Sequence, residues 1–311
     1  EISECLVGSE MCIRDRFKKI AIKTGVLTTV FILAVIVSSY VTNRGNTDMS
    51  ADMGGATLPR ISFMTEGYEV NSLPGYKSDM TLTSMRDTLT PVTNNQLDMN
   101  IAKYDNQIQK VYWQVYTLNG KKCIQEGTIK DVQDTVTLNF KNTKILKEER
   151  ILKVTLYLDN QNIYFYTRIK NSADCNYKKS LDFANDFHNA ALENQGDKVE
   201  SYLETDSSED SSTYQEVTLA STQSQVTWGS LAPQVSGNVY WEIKECNENY
   251  TSLVLKYQVK CTGDTDYADR LYSVKEFFRI RTGEDAQQYL LDYDRTMNQR
   301  FDGKTTALNQ K

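Results

Sequence analysis

The run Thr24-Gly-Val-Leu-Thr-Thr-Val-Phe-Ile-Leu-Ala-Val-Ile-Val-Ser-Ser-Tyr-Val41 limits this chain more than any other feature. Eighteen residues of helix reach about 27 Å, close to the ~30 Å hydrocarbon core of a bilayer. Starting at Ile20 lengthens the span, because the stem of Lys23 lies along apolar surface while its amine reaches the interface. Residues 20–41 are therefore expected to contact membrane, with Tyr40 at the aromatic interface level. Lys18, Lys19 and Lys23 precede the run, and no acid occurs from Phe17 to Arg44. The positive-inside rule then places the N-terminus in the cytoplasm and the body outside. A cleaved signal peptide, cut near Val37-Ser38-Ser39, is the alternative.

The stretch ahead of Phe17 has a different character. Leu6-Val-Gly-Ser-Glu-Met-Cys-Ile-Arg-Asp15 resembles the conceptual translation of a transposase-type sequencing adapter, with Arg16 at the junction. Residues 1–16 are accordingly set aside as an adapter artefact, and Cys5 and Cys12 leave the cysteine count. The expected organisation is a cytoplasmic stub and transmembrane helix at 17–44, then a linker at 45–56. A β-sandwich domain at 57–171, an α+β domain at 177–303 and a tail at 304–311, open to truncation, complete the chain.

Charge excludes one class of partner. The chain carries 41 acidic and 35 basic residues, a net of −6. The N-terminal segment is basic, so the body is more acidic than the whole. Nucleic acid needs a basic footprint and is not expected as a partner.

The fold class expected is α+β with mostly β. Ile61–Met64, Leu97–Ile101 and Val136–Phe140 alternate with period two. Asn119-Gly120 signals a hairpin, through the positive φ angles of a type I′ turn. A second hairpin is expected across Asp159–Asn162, with Leu158 opposite Ile163, Leu156 opposite Phe165, Leu152 opposite Ile169 and Tyr157 opposite Tyr164. Short strands at this spacing suggest an immunoglobulin- or fibronectin-like sandwich. The period then changes. Leu181, Ala184, Phe187, His188, Ala191 and Leu192 share one helical face over 177–194. A short helix over 197–203 follows, then strands near 214–219, 225–228, 239–245, 253–261, 272–281 and 289–293. A helix ahead of a run of antiparallel strands suggests a cystatin- or NTF2-like roll.

Candidate chemistry is sparse. His188 is the single histidine, so a catalytic triad or a multi-histidine zinc site would have to use it. Its apolar face reads as packing, and Asp182 lies too far round the helix to orient it. Asp264, Asp266 and Asp269 alternate like the opening of a calcium loop, but the glycine and closing glutamate are misplaced. No catalytic, cofactor or metal residues are assigned. Nineteen tyrosines are the compositional excess. Tyr157, Tyr164 and Tyr166 are expected on one face of the second hairpin, as a surface for a partner protein or a wall glycan. Four body cysteines, Cys123, Cys175, Cys246 and Cys261, allow two disulfides. In the 239–261 hairpin Cys246 lies at the turn and Cys261 at the far end, so those two are not expected to bond.

Tyr76–Pro91 (Tyr-Lys-Ser-Asp-Met-Thr-Leu-Thr-Ser-Met-Arg-Asp-Thr-Leu-Thr-Pro) and Leu290–Met297 (Leu-Leu-Asp-Tyr-Asp-Arg-Thr-Met) are similar to stretches of single-pass surface proteins of Firmicutes such as gut clostridia. That resemblance implies a place at the cell surface and carries over no functional residues. The expected function is a membrane-anchored binding or scaffold protein of the bacterial cell envelope. An envelope hydrolase with a cryptic site, or one beyond residue 311, and an NTF2-like assembly factor of a secretion machine are the alternatives.

The anchor reading makes a direct prediction. Val30 and Val35 sit mid-span, where each arginine costs about 2.5–3.5 kcal/mol on the insertion scale. The double variant Val30→Arg, Val35→Arg should leave the membrane fraction on carbonate extraction, whereas the unaltered chain should stay in it.

Overall fold

The computed structural model describes residues 7–43, 57–141, 146–174, 176–206, 213–263, 266–268 and 270–300. Contacts divide the chain into two units, one containing the N-terminal helix and one spanning Gly54–Arg300.

Helix α1 runs Val7–Asn43. Within it Phe17–Thr42 is long and apolar enough to cross a membrane, and its side chains are exposed throughout. This is the helix expected from the apolar run.

The body is mostly strand. In chain order the first nine strands are β1 (Arg60–Thr65), β2 (Tyr68–Pro74), β3 (Leu89–Val92), β4 (Gln96–Ala102), β5 (Ile108–Thr117), β6 (Cys123–Ile129), β7 (Thr135–Asn139), β8 (Arg150–Leu158) and β9 (Asn162–Asn171). Helix α2 (Tyr177–Leu192) and the short α3 (Gly196–Val199) follow. Then come β10 (Glu216–Thr218), α4 (Gln223–Val226), β11 (Pro233–Val235), β12 (Tyr240–Cys246), β13 (Thr251–Cys261), β14 (Leu271–Thr282) and β15 (Gln288–Gln299).

Two sheets result. One has the order β3-β9-β8-β5-β6, with β3 parallel to β9. The other is ten-stranded and runs β10-β15-β14-β13-β12-β2-β1-β4-β7, with β11 beside β13. The three alternating segments read from the sequence lie in β1, β4 and β7. Their apolar side chains, among them Ile61, Phe63, Leu97, Met99, Val136 and Leu138, are buried. Trp113 of β5 meets Phe140, which follows β7, edge-on at 5.3 Å between ring centres, so each sheet contributes to one apolar core.

The long sheet crosses the boundary expected between 57–171 and 177–303, which therefore falls inside one unit. β2 and β12 meet in parallel at Val70 and Trp241. The neighbouring Asn71 is wholly buried with φ +53°, at the point where the β1–β2 register slips between Ile61 and Phe63. Such a bulge needs a residue that tolerates the left-handed region, and asparagine does. Its amide donates to the Leu89 carbonyl at 3.0 Å and to Thr90 Oγ1 at 2.8 Å. Its carbonyl oxygen accepts from the Ile243 backbone N–H at 2.9 Å. One side chain thus ties β2, β3 and β12. Alternation within a strand carries no trace of these partners, which lie up to 172 residues away.

The hairpins differ in detail from expectation. At the first, Gly120 has φ +72° and its N–H donates to the Thr117 carbonyl at 2.7 Å. Asn119 does not take a positive φ; its side chain accepts from Thr117 Oγ1 and the Lys121 N–H instead. The connection is therefore a turn with a left-handed glycine rather than type I′. At the second, Leu156 faces Ile163, Val154 faces Phe165 and Tyr157 faces Asn162. This register is two residues tighter than expected, because Leu158 N–H reaches the Gln161 carbonyl at 3.0 Å and closes the turn on Asp159 and Asn160. A shift of two keeps every side chain on its face. The β12–β13 register agrees with expectation: Trp241 faces Leu255 and Ile243 faces Leu253.

Helix α2 buries Leu181, Ala184, Phe187, His188 and Ala191, as read. The chain leaves it at Asn194, φ +55°. Phe187 seats the helix on the sheet, with ring centres 5.9 Å from Phe278 and 5.0 Å from Tyr293. The segment expected as a strand at 225–228 is instead entered by helix α4. A capping box decides this: Thr222 Oγ1 accepts from the Gln225 N–H, and the Gln225 side chain accepts from the Thr222 N–H. Cys246 is disulfide-bonded, while Cys123 and the buried Cys261 are thiols, so Cys246 and Cys261 are not joined. Cys175 lies outside the described residues.

Asn71 tests the continuity of the sheet. Asn71→Ala strands the Ile243 N–H and the Leu89 carbonyl, at about 1–3 kcal/mol each, and adds about 1–2 kcal/mol for a left-handed alanine. A loss of about 3–8 kcal/mol should appear in urea unfolding. Asn71→Gly, which relieves the backbone term, should recover part of it.

Candidate functional site

Alternation places side chains on two faces of the sheet β12–β13–β14–β15, and each face carries a distinct polar feature.

The inward face should be apolar, and most of it is: Leu255, Tyr257, Val274, Phe278, Tyr293 and Met297 are buried. Glu276 and Arg295 occupy the same inward alternation, directly opposite each other in the β14–β15 register, and both are wholly buried. His188 reaches them from α2, with Nδ1 3.2 Å from each Glu276 oxygen. Tyr257 donates its hydroxyl to Glu276 and sets its ring 4.8 Å from the imidazole. Arg295 donates to the Val226 carbonyl at 2.7 Å and the Gln225 carbonyl at 2.6 Å, stopping the end of α4. The Trp228 ring covers the guanidinium at 3.9 Å.

Burial alone would raise the Glu276 carboxyl. The charge and hydrogen bond of His188, the charge of Arg295 and the Tyr257 hydroxyl outweigh it and hold the group below its ordinary value. Burial first, then the Glu276 charge, pushes Tyr257 and Tyr293 up. The arrangement keeps a carboxylate charged inside an apolar layer. It fixes α2 and α4 on the sheet. His188, read from sequence as a packed helix histidine, is packed. Asp182 does not orient it but accepts from Tyr68 at 2.8 Å and pairs with Lys178 at 2.7 Å. The signal for Glu276 was present in sequence: Tyr272, Val274, Glu276, Phe278 and Ile280 alternate, which points the glutamate inward.

The outward face carries a groove of about 590 Å³. Its floor is rigid strand: Lys256 of β13 faces Lys275 of β14, which faces Thr296 of β15. Ser273, Gln258 and Asn298 form the next row, and Ser236–Asn238 make one wall. Gly237, at φ +80° with open space around it, lets that wall turn away. Tyr240 stands at the corner, about a third exposed, with Asn238 Nδ2 donating to its hydroxyl at 3.2 Å. Beyond Tyr240 a second hollow of about 410 Å³ continues past Glu69 and Ser72. Lys256 is held by Glu242 at 2.6 Å, and Lys275 makes no ion pair among the described residues.

The tyrosines singled out from sequence do share a face, yet not as an open platform. The segment after β2 crosses it. Tyr76 exchanges backbone hydrogen bonds with Tyr164 at 3.0 and 2.9 Å. Tyr166 is buried, donating to Asp79 at 2.8 Å and accepting from the Met80 N–H at 2.7 Å. Lys110 sits 4.0 Å over the Tyr157 ring and Lys153 5.1 Å over the Tyr164 ring. Tyr157 and Tyr164 therefore remain partly accessible, each carrying an ammonium. Of the calcium-like aspartates, Asp264 and Asp269 lie outside the described residues. Among the described residues no three His, Cys, Asp or Glu side chains gather to hold a metal.

Comparison with protein-family models, with curated proteins and with solved structures gave no match.

The buried carboxylate yields a test. Glu276→Gln leaves the buried Arg295 without its counter-charge and should cost about 3–5 kcal/mol in urea unfolding at neutral pH. Glu276 titrates below its ordinary 4.5 in the folded chain. Its contribution is therefore complete above that value and is lost as pH falls through the lower folded value. The gap between the two proteins should narrow on acidification below 4.5.

Proposed function

We propose that this chain is a membrane-anchored binding or scaffold protein of the bacterial cell envelope, held by α1 with its body outside the cytoplasm. The observation that carries the reading is the apolar helix Phe17–Thr42 ahead of a β-rich body, with Lys18, Lys19 and Lys23 at its N-terminal end against Arg44 alone just past the other. The body fits display: the outer face of its sheet carries a groove built on strands. Its one histidine is committed to an internal ion cluster.

The finer fold reading belongs to the same proposal. Residues 57–171 are taken as an immunoglobulin- or fibronectin-like sandwich, supported by Trp113 against Phe140 between the sheets. Residues 177–303 are taken as a cystatin- or NTF2-like roll, supported by α2 lying on the meander β12–β15. On this reading the two are fused through β2 and β12, so the body acts as one rigid display unit.

Protease added to intact protoplasts of an expressing cell should digest the body while a cytoplasmic marker survives. Complete protection of the body until detergent is added would refute the topology.

A further inference from the structure

We propose that the groove on the outer face of β12–β15, with the hollow across Tyr240, binds a linear oligosaccharide. The proposal deepens the binding reading above and rests on it for its setting.

Three observations carry it. The first is chemical. Ser236, Asn238, Gln258, Ser273, Thr296 and Asn298 all line the groove, and each both donates and accepts hydrogen bonds. The ligand groups that match such a lining are those that also do both, namely sugar hydroxyls and acetamido groups. Among the described residues no carboxylate lines this groove, and Glu69 lines the adjoining hollow. The second is electrostatic. Lys256 and Lys275 face each other across adjacent strands, an arrangement that costs stability when both are charged. Glu242 compensates Lys256, while Lys275 offers three donors to the groove, suited to ring and hydroxyl oxygens. The third is shape. A volume of about 590 Å³ falls within the range of small-ligand sites, and the adjoining hollow of about 410 Å³ shares Gly237, Asn238 and Tyr240 with it. A path that runs past an aromatic corner suits a chain of rings rather than a single compact molecule. The exposed Tyr240 ring carries the Arg60 guanidinium 5.9 Å over one face and offers the other to the C–H face of a sugar.

The test uses the full chain in lipid nanodiscs, titrated with a β-1,4-linked tetramer of N-acetylglucosamine and followed by calorimetry and ligand-observed NMR. Saturable binding is expected. Tyr240→Ala should weaken it about tenfold, the equivalent of one aromatic contact. Ser273→Trp, which fills the floor from an exposed position, should abolish it, and thermal melts report whether that variant is folded. Tyr157→Ala, on the other tyrosine face, should leave it unchanged. No saturable binding up to about 10 mM, or binding indifferent to Tyr240→Ala, would overturn the proposal. So would binding that Tyr157→Ala removes. Failure here leaves the protoplast result standing, and a protected body in protoplasts leaves this titration standing, so the two readings fail separately.

Discussion

Asn71 holds together parts of the chain that local sequence keeps apart. Its backbone takes the left-handed conformation at a bulge in β2, and its side chain satisfies groups on β3 and β12 at once. Without it the bulge would bury an unpaired carbonyl and an unpaired N–H at the centre of the body. With it, the edge of the first half becomes the neighbour of the second half's sheet. Around this joint the contacts are charged as well as apolar: Arg168 donates to the Lys244 carbonyl, and Lys244 pairs with Asp87 at 2.5 Å. The groove inherits its rigidity from this joint, since Tyr240 and Trp241 begin β12 beside Val70.

A second constraint follows from burying charge. Glu276 and Arg295 lie in an otherwise apolar layer, and each has obtained partners that suit its chemistry. The carboxylate takes the imidazole and a tyrosine hydroxyl; the guanidinium takes two carbonyls at the end of α4 and an indole face. Such a centre adds little to net stability compared with a well-packed apolar core. Its effect is positional. The partners lie on α2 and at the end of α4, so the cluster ties both helices to the inner face of the sheet.

Sequence by itself determined what is local and periodic. The apolar run specified a helix of membrane length. Period-two alternation identified the faces of β1, β4, β7, β12 and β13, and the change to a 3.6 period marked α2 with its buried face. Where a turn was the only information, the result was right to within an even number of residues. The β8–β9 register moved by two, and the leucine and tyrosine faces kept their sides because the side-chain period is two.

What tertiary structure decided is non-local. The strand expected at 225–228 became a helix because Thr222 and Gln225 cap each other and Arg295, seventy residues on in sequence, receives the freed carbonyls. The tyrosine face was covered because the segment after β2 crosses it and Asp79 takes the Tyr166 hydroxyl. The groove could not be read from any one segment, since its lysines, amides and hydroxyls come from four strands and a loop. Alternation tells which way a side chain points, but not which strand lies beside it. That choice is made by long-range pairing, and here it was made by one buried asparagine and one buried ion cluster, whose partners only the folded chain brings within hydrogen-bond reach.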